Sequence, residues 1–285
     1  MEQILTYDYM QVDLESRRLA HELEAKPDAK FVAVGVDALI PGLIVTHELE
    51  IPNLFFTGMD SEIYQEPLGL EKNSELVLII NNKTTDEKDK IVSHYTDRGY
   101  RVNTLEPFLH VPGVKFPWEI SEYVDVLEDT SETDFSYWDL HHLSTQLVNW
   151  RLRDDLESVE KYKLVGISRG GFFPLAIIAN EIGKRPYAIG AYSYNDKLRE
   201  QDELVIYQSI ESAEEGEVAV LIDELVDGGE TMNHCKNVLE RLGYEVMMYS
   251  LHLKPNANFL PDFAMQKVPG KWITYDYEIE RPISN

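Results

Sequence analysis

The 285-residue chain is written twice, and that repeat limits what it can fold into more than any other feature. Lys30 to Pro52 reads KFVAVGVDALIPGLIVTHELEIP. It aligns without gaps on Lys163 to Arg185, KLVGISRGGFFPLAIIANEIGKR, at an offset of 133, with Pro41 on Pro174 and Glu48 on Glu181. Each copy opens with an apolar, β-rich run, turns tightly and continues with helical apolar spacing, which encodes a strand, a loop and a helix. A second pair follows in the same order: Leu76 to Val102 (LVLIINN, then a helix ending DRGYRV) and Val218 to Val246 (VAVLIDE, then a helix ending ERLGYEV). Related tails close both copies, VPGVKFPWE from Val111 and VPGKWITYDYE from Val268. Tyr7-Asp8-Tyr9 and Tyr137-Trp138-Asp139 stand at matching places and start a leading helix in each.

Strands alternating with helices, several of them continuous apolar runs such as LVLII and VAVLI, predict an α/β fold. Each copy forms a mostly parallel sheet flanked by helices on both faces. Two tandem domains are expected at 1–125 and 134–285. A linker at 126–133 joins them, within the acidic stretch Glu122 to Asp134 that lacks helical periodicity. In such sheets ligands sit at the carboxyl ends of the strands, so the loops after the two apolar strands of each copy are where chemistry is sought.

Composition narrows the function. The 51 Asp plus Glu against 26 Lys plus Arg give a formal charge of −25, which opposes general nucleic-acid binding, because duplex affinity rests on clustered cations. The chain's one cysteine, Cys235, cannot form an internal bridge, and without a basic and then apolar leader at Met1 the chain reads as cytoplasmic. No apolar run approaches the roughly 20 residues of a membrane span. Residues 1–134 carry 11 basic and 27 acidic side chains (−16), and residues 135–285 carry 15 and 24 (−9). A phosphate ligand must therefore be met by backbone amides, a metal ion and a few placed cations.

The strand Val218 to Ile222 runs into Asp223-Glu224-Leu225-Val226-Asp227-Gly228-Gly229-Glu230-Thr231 and then into a helix over Met232 to Leu242. Adjacent acids stand at a strand end, a third acid follows three residues later, two glycines let backbone N–H groups approach a ligand, and Thr231 opens a helix. A helix N-terminus binds phosphate, whereas carboxylates beside it repel phosphate unless they hold hydroxyls or a divalent cation. The ligand expected is one with phosphate, vicinal hydroxyls and Mg²⁺ together. The same spacing is compatible with a surface turn capped by Thr231 whose acids are simply solvated.

VLIDELVDGGET resembles the 5-phosphoribosyl-1-pyrophosphate (PRPP) signature of type I phosphoribosyltransferases. The resemblance implies that Asp223 and Glu224 hold the ribose hydroxyls and Mg²⁺, that Asp227 is the catalytic aspartate beside the base, and that Asp227, Gly228, Gly229, Glu230 and Thr231 wrap the 5′-phosphate. One departure is Gly228, where the family has Thr, which removes a hydroxyl donor worth about 0.5–1.5 kcal/mol. Gly166-Ile167-Ser168-Arg169-Gly170-Gly171 is similar to the family's pyrophosphate loop, which implies that Ser168, Arg169 and Gly170 bind PRPP and that Arg169 meets the leaving group. Tyr192-Ser193-Tyr194-Asn195-Asp196 and the charged run to Glu203 resemble its hood loop. Leu253-Lys254-Pro255, Pro261-Asp262-Phe263 and Lys271-Trp272-Ile273 fall in the order of the xanthine-guanine and hypoxanthine branch. There Lys254 would meet the purine 6-oxo group, Trp272 would stack on the base and the Ile273 carbonyl would accept from it. A 6-oxopurine suits such a pair, offering an acceptor and a flat π-face.

The expected activity is transfer of 5-phosphoribosyl from PRPP to a 6-oxopurine. The open alternatives are a non-catalytic PRPP or nucleotide sensor, and transfer to a pyrimidine or an unusual base. The first copy retains none of these residues: Val36 and Asp37 stand opposite Arg169 and Gly170, Asn81-Asn82 or Ile79-Ile80 replace the acidic pair, and Lys83 or Thr85 replaces Asp227. Since the family is commonly dimeric, this degenerate copy is expected to pack on the second as a built-in partner. Further self-association stays open.

Overall fold

A computed structural model describes residues 7–23, 29–51, 54–57, 59–60, 63–64, 70, 73–81, 83–108, 116, 118, 130–193, 204–208 and 210–279. In the first half the order is α1 (Tyr9–Glu22), β1 (Lys30–Val34), α2 (Leu39–Glu48), β2 (Leu54–Thr57), β3 (Met59–Asp60), β4 (Ile63–Tyr64), β5 (Glu75–Ile80), α3 (Thr85–Thr96) and β6 (Arg101–Leu105). The second half runs β7 (Asp134–Phe135), α4 (Tyr137–Leu147), α5 (Arg153–Leu156), β8 (Tyr162–Ser168), α6 (Phe172–Ile182), β9 (Pro186–Ser193), β10 (Leu204–Gln208), β11 (Val218–Val226), α7 (Glu230–Arg241), β12 (Glu245–Leu253), β13 (Phe263–Lys267) and β14 (Thr274–Tyr275). The helices begin where side chains can satisfy their first amides: Asp8, Thr84 and Ser136 each close a capping box ahead of α1, α3 and α4.

The first half holds a four-stranded sheet ordered β2-β1-β5-β6 and parallel throughout. The second holds a six-stranded sheet ordered β10-β9-β8-β11-β12-β13, in which β9-β8-β11-β12 are parallel and follow the same order of strand roles. In each, the apolar runs are buried on both faces, as parallel strands between helices must be. α6 packs on one face of the second sheet with Leu164, Val220 and Ile222, and α7 on the other with Val165, Ala219 and Leu221. Because successive helices fall on opposite faces, a crevice opens at the carboxyl ends of β8 and β11, the position where sheets of this kind bind ligands.

One apolar core crosses both halves, from Tyr9 and Val12 through α2 and α6 to Tyr275 and Tyr277. Tyr9 stacks on Tyr137 at 5.3 Å, its hydroxyl pairs with His141 Nδ1 at 2.6 Å, and the Tyr137 hydroxyl donates to Asp13 at 2.5 Å. Buried Arg17 donates to both oxygens of Asp13 at 3.1 Å, to Glu48, and to the Tyr277 carbonyl at 3.3 Å. Among the described residues no helix is long and apolar enough to cross a membrane.

Two details differ from expectation. The strand expected to end at Ile222 continues to Val226: pairing with β8 stops at Ile222–Gly166, but pairing with β12 carries on through Asp223–Ser250, Leu225–His252 and Val226–Leu253. Asp223 and Glu224 therefore sit inside the strand's last residues, and the burial that follows governs their chemistry. The last linker residue is not free either, since the Thr133 carbonyl accepts from Thr274 N at 2.7 Å beside the β7–β14 pair.

Candidate functional site

The crevice is a cleft of about 320 Å³ lined by Ile167 to Gly170 from the loop after β8 and by Asp223 to Met232 from β11 and the start of α7. It brings together Ser168, Arg169, Gly170, Asp223, Glu224, Asp227, Gly228, Gly229, Glu230 and Thr231. Lys254, Trp272 and Ile273 do not line it. Lys254 nonetheless reaches its edge, donating to Asp227 at 2.6 Å, while Trp272 stands 81% exposed and the Ile273 side chain is in the core. The hood segment falls outside the described residues from 194 to 203.

Backbone shape forms the two loops. Gly229 takes φ +93°, and a side chain there would meet the Phe259 carbonyl at 2.3 Å, so glycine alone lets the chain turn into α7. The Gly228 carbonyl accepts from Asn258 N at 2.9 Å and Phe259 N at 3.3 Å, which fixes the loop from behind. Across the crevice, the Glu224 carboxylate lies against Gly170, so close that a β-carbon on Gly170 would fall 1.5 Å from Oε1.

Electrostatics follows from burial. Asp223 and Glu224 are adjacent and desolvated, and burial is the main force raising both carboxyls above their ordinary values; repulsion from Glu224 adds to the effect on Asp223. The positive field of Arg169 works in the opposite direction on Glu224. Glu224 Oε2 is buried with no hydrogen-bond partner, and the buried Tyr277 hydroxyl, near the same pair, has none either. Two desolvated carboxylates with an unpaired oxygen fit a hard divalent cation that takes its remaining oxygens from a ligand. Among the described residues no cluster of three or more His, Cys, Asp or Glu could hold a metal alone. A cation here would thus depend on the ligand's own oxygens.

Arg169 is placed otherwise than its expected role suggests. The residue lines the cleft, and its Nη1 donates to the carbonyls of Ile51 at 2.8 Å and Thr46 at 3.3 Å, at and just beyond the C-terminal end of α2 in the first half. Ser168 Oγ likewise donates to the Leu54 carbonyl at 3.1 Å. His47, between these residues and Tyr277, is pulled down to about 4 by burial and then by the positive charges of Arg169 and Arg17. Nothing in the sequence marks Thr46 and Ile51, because a carbonyl partner is the same for every residue type. In the first half the corresponding loops close on themselves: Lys83 pairs with Asp37 at 3.3 Å, and Asn81 Nδ2 donates to the Asp37 carbonyl at 3.0 Å.

The family model described as "Phosphoribosyl transferase domain" matches residues 139–278. A xanthine-guanine phosphoribosyltransferase of Desulfotalea psychrophila is 30% identical over 148 residues, 50% of this chain and 84% of that protein. One from Idiomarina loihiensis is 27% identical over 146 residues, 50% of this chain and 85% of that protein. A solved purine phosphoribosyltransferase from Pyrococcus horikoshii superposes with a TM-score of 0.43 at 19% identity, covering 55% of this chain and 99% of that one.

Proposed function

The chain belongs to the phosphoribosyltransferase family, and from that premise we propose that its cleft transfers the 5-phosphoribosyl group of PRPP to a 6-oxopurine, releasing a nucleoside 5′-monophosphate and pyrophosphate. The observation that carries this reading is the cleft itself, in which a buried acid pair, Asp227 and the start of α7 line one volume. The names of the relatives, both xanthine-guanine phosphoribosyltransferases, support the choice of base.

In this mechanism the amides at the start of α7 and of Gly229 hold the 5′-phosphate, since a helix N-terminus carries free donors and a positive end. Asp223 and Glu224 orient the ribose hydroxyls and would hold Mg²⁺. When bound, that ion neutralises the pyrophosphate and makes it a better leaving group. The C1–oxygen bond breaks with its electron pair on pyrophosphate, and the exposed Asp227 stabilises the cationic ribose. The base nitrogen then bonds to C1, and its proton passes to Asp227. Lys254 holds Asp227 in the free protein and turns to the purine 6-oxo oxygen when base arrives, which releases the carboxylate at the moment it is needed. Trp272, already exposed, offers its ring to the base. Arg169 and Ser168 shape the pyrophosphate loop by their hold on the first half.

The first half acts as a built-in partner. Support comes from the shared strand order, the contact between the matching helices α2 and α6, the stacking of Tyr9 on Tyr137, and the grip of Thr46 and Ile51 on Arg169. A cytoplasmic location agrees with a lone, buried cysteine. The second reading, a PRPP sensor without catalysis, is favoured by one observation, the commitment of the Arg169 guanidinium to carbonyls. Incubation with PRPP, Mg²⁺ and a panel of bases, read as pyrophosphate release, separates the two. The enzyme releases pyrophosphate with a 6-oxopurine, and Asp227→Asn lowers kcat by roughly 10²-fold, the scale of general-base loss. Binding of PRPP with no release under any base supports the sensor.

A further inference from the structure

Glu230 opens α7, is exposed, and lines the cleft. Its carboxylate folds back over Gly228: a β-carbon built on Gly228 would fall 2.1 Å from Glu230 Oε2 and 2.9 Å from Oε1. No side chain is hydrogen-bonded to the amides at the start of this helix, and the Glu230 carboxylate lies over the loop that leads into them. A carboxylate at a helix N-terminus is held by the same donors and the same positive end that hold a phosphate. The loop cannot retreat to make room, because the Gly228 carbonyl is fixed by Asn258 N and Phe259 N and Gly229 is pressed on Phe259. What can move is the Glu230 side chain.

We propose that Glu230 sets the affinity of the phosphate subsite by competing with the ligand's phosphate for the start of α7, and that Gly228 is glycine because the folded-back carboxylate occupies the space of its missing side chain. The inference rests on the reading of this cleft as the PRPP site and adds a residue that limits binding there. It also changes the meaning of Gly228, whose cost is the room it gives to Glu230 as well as an absent hydroxyl. The competition acts equally on PRPP and on the product nucleotide, since both present a 5′-phosphate, so it weakens product retention along with substrate capture.

The test is calorimetric titration of PRPP, of GMP and of guanosine, each with Mg²⁺, into wild type, Glu230→Ala, Glu230→Gln and Gly228→Ala. Glu230→Ala and Glu230→Gln should each bind PRPP and GMP roughly two- to fivefold more tightly, the range expected for one exposed charge near a helix end. Guanosine, which lacks the phosphate, should be unchanged. Gly228→Ala supplies a methyl group without any new donor; it should displace the carboxylate and shift affinity in the same direction. A side chain that is merely solvated predicts no change for the Glu230 variants and equal or weaker binding for Gly228→Ala, and either result overturns the inference. If wild type binds PRPP and releases pyrophosphate but Glu230→Ala does not bind more tightly, this inference alone fails. If no variant binds PRPP or GMP, the reading of the cleft fails and takes the inference with it. Binding by Glu230→Ala where wild type shows none supports both.

Discussion

Replacing Arg17 with Met tests whether the two halves are joined in the way the structure indicates. Arg17 is 2% exposed and lies on α1, yet it donates to Asp13 and Glu48 of its own half and to the Tyr277 carbonyl of the other. Met fills a similar volume but leaves Asp13, fully buried, as a carboxylate whose nearest neutralising charge is gone. Removing one partner of a buried ion pair costs about 3–5 kcal/mol, because the remaining charge is stranded away from water. An unfolding entropy of about 2.1 cal/mol/K per residue near 60 °C comes to about 0.6 kcal/mol/K for a chain of this length, so the variant should melt about 5–8 °C lower.

Differential scanning calorimetry is the assay, with two further readouts. The continuous core from Tyr9 to Tyr277 predicts one cooperative transition for wild type and variant alike. The double variant Asp13→Asn with Arg17→Met should recover most of the loss, since it removes the stranded charge and leaves the Tyr137 hydroxyl an acceptor in the Asn side-chain carbonyl. Arg17 also fixes the last turn of α2 through Glu48, next to the carbonyls that hold Arg169, so the single variant should raise KM for PRPP. A melting temperature within about 1 °C of wild type would refute the reasoning, as would two separate transitions or a double variant no better than the single one.

Two other predictions follow from the site. Asp223 and Glu224 bind their protons more tightly in the folded protein than in the unfolded chain, so their contribution favours folding below the ordinary carboxylate range and is lost as pH rises through their raised values. In buffer without divalent cations, Asp223→Asn should thus melt above wild type by a margin that widens with pH while losing Mg²⁺-dependent PRPP binding; a margin that narrows with pH would contradict the assignment. The closed loops of the first half, with Lys83 on Asp37 and Asn81 on the Asp37 carbonyl, predict one PRPP bound per chain, and a measured stoichiometry of two would end the view of that half as an empty partner.

Much of this was legible in the sequence, for identifiable reasons. Continuous apolar runs such as LVLII and VAVLI can be satisfied only between two layers of helices, so the parallel α/β sheets were readable before any coordinates. The acids, glycines and Thr231 lie close together along the chain, and local order in sequence became local order in space. What escaped was long-range or carried by the backbone. Nothing in VAVLIDELV tells that β12 goes on pairing beyond Ile222, which keeps Asp223 within the sheet, where burial raises its carboxyl. The partners of Arg169 are carbonyls of Thr46 and Ile51, more than a hundred residues away, and no side-chain pattern encodes a carbonyl. The opposition of Glu230 and Gly228 is a distance between a side-chain end and an absent side chain, which only three dimensions can express.

The net charge of −25 also takes on a different meaning at this scale. Exposed charges farther apart than about 8 Å are largely screened at physiological ionic strength, so most of the acidic surface of the first half exerts little force on a ligand at β11. What an approaching phosphate meets is local: Asp223, Glu224, Asp227 and Glu230 in one cleft. Two of these four carboxylates lie against glycines of the loops that would take the anion, Glu224 on Gly170 and Glu230 on Gly228. A site built this way binds an anion only when something redirects its acids, and the two are redirected differently. Glu224 is half-buried, with its Oε2 buried and unpaired, and calls for a cation or a ribose hydroxyl, whereas Glu230 is exposed and can swing into solvent. The first makes binding conditional on the rest of the ligand, and the second sets how tightly the phosphate is kept. If the cleft is the PRPP site proposed above, a phosphate alone would satisfy neither carboxylate, and the cleft would favour a ligand that brings phosphate, hydroxyls and a bound cation together.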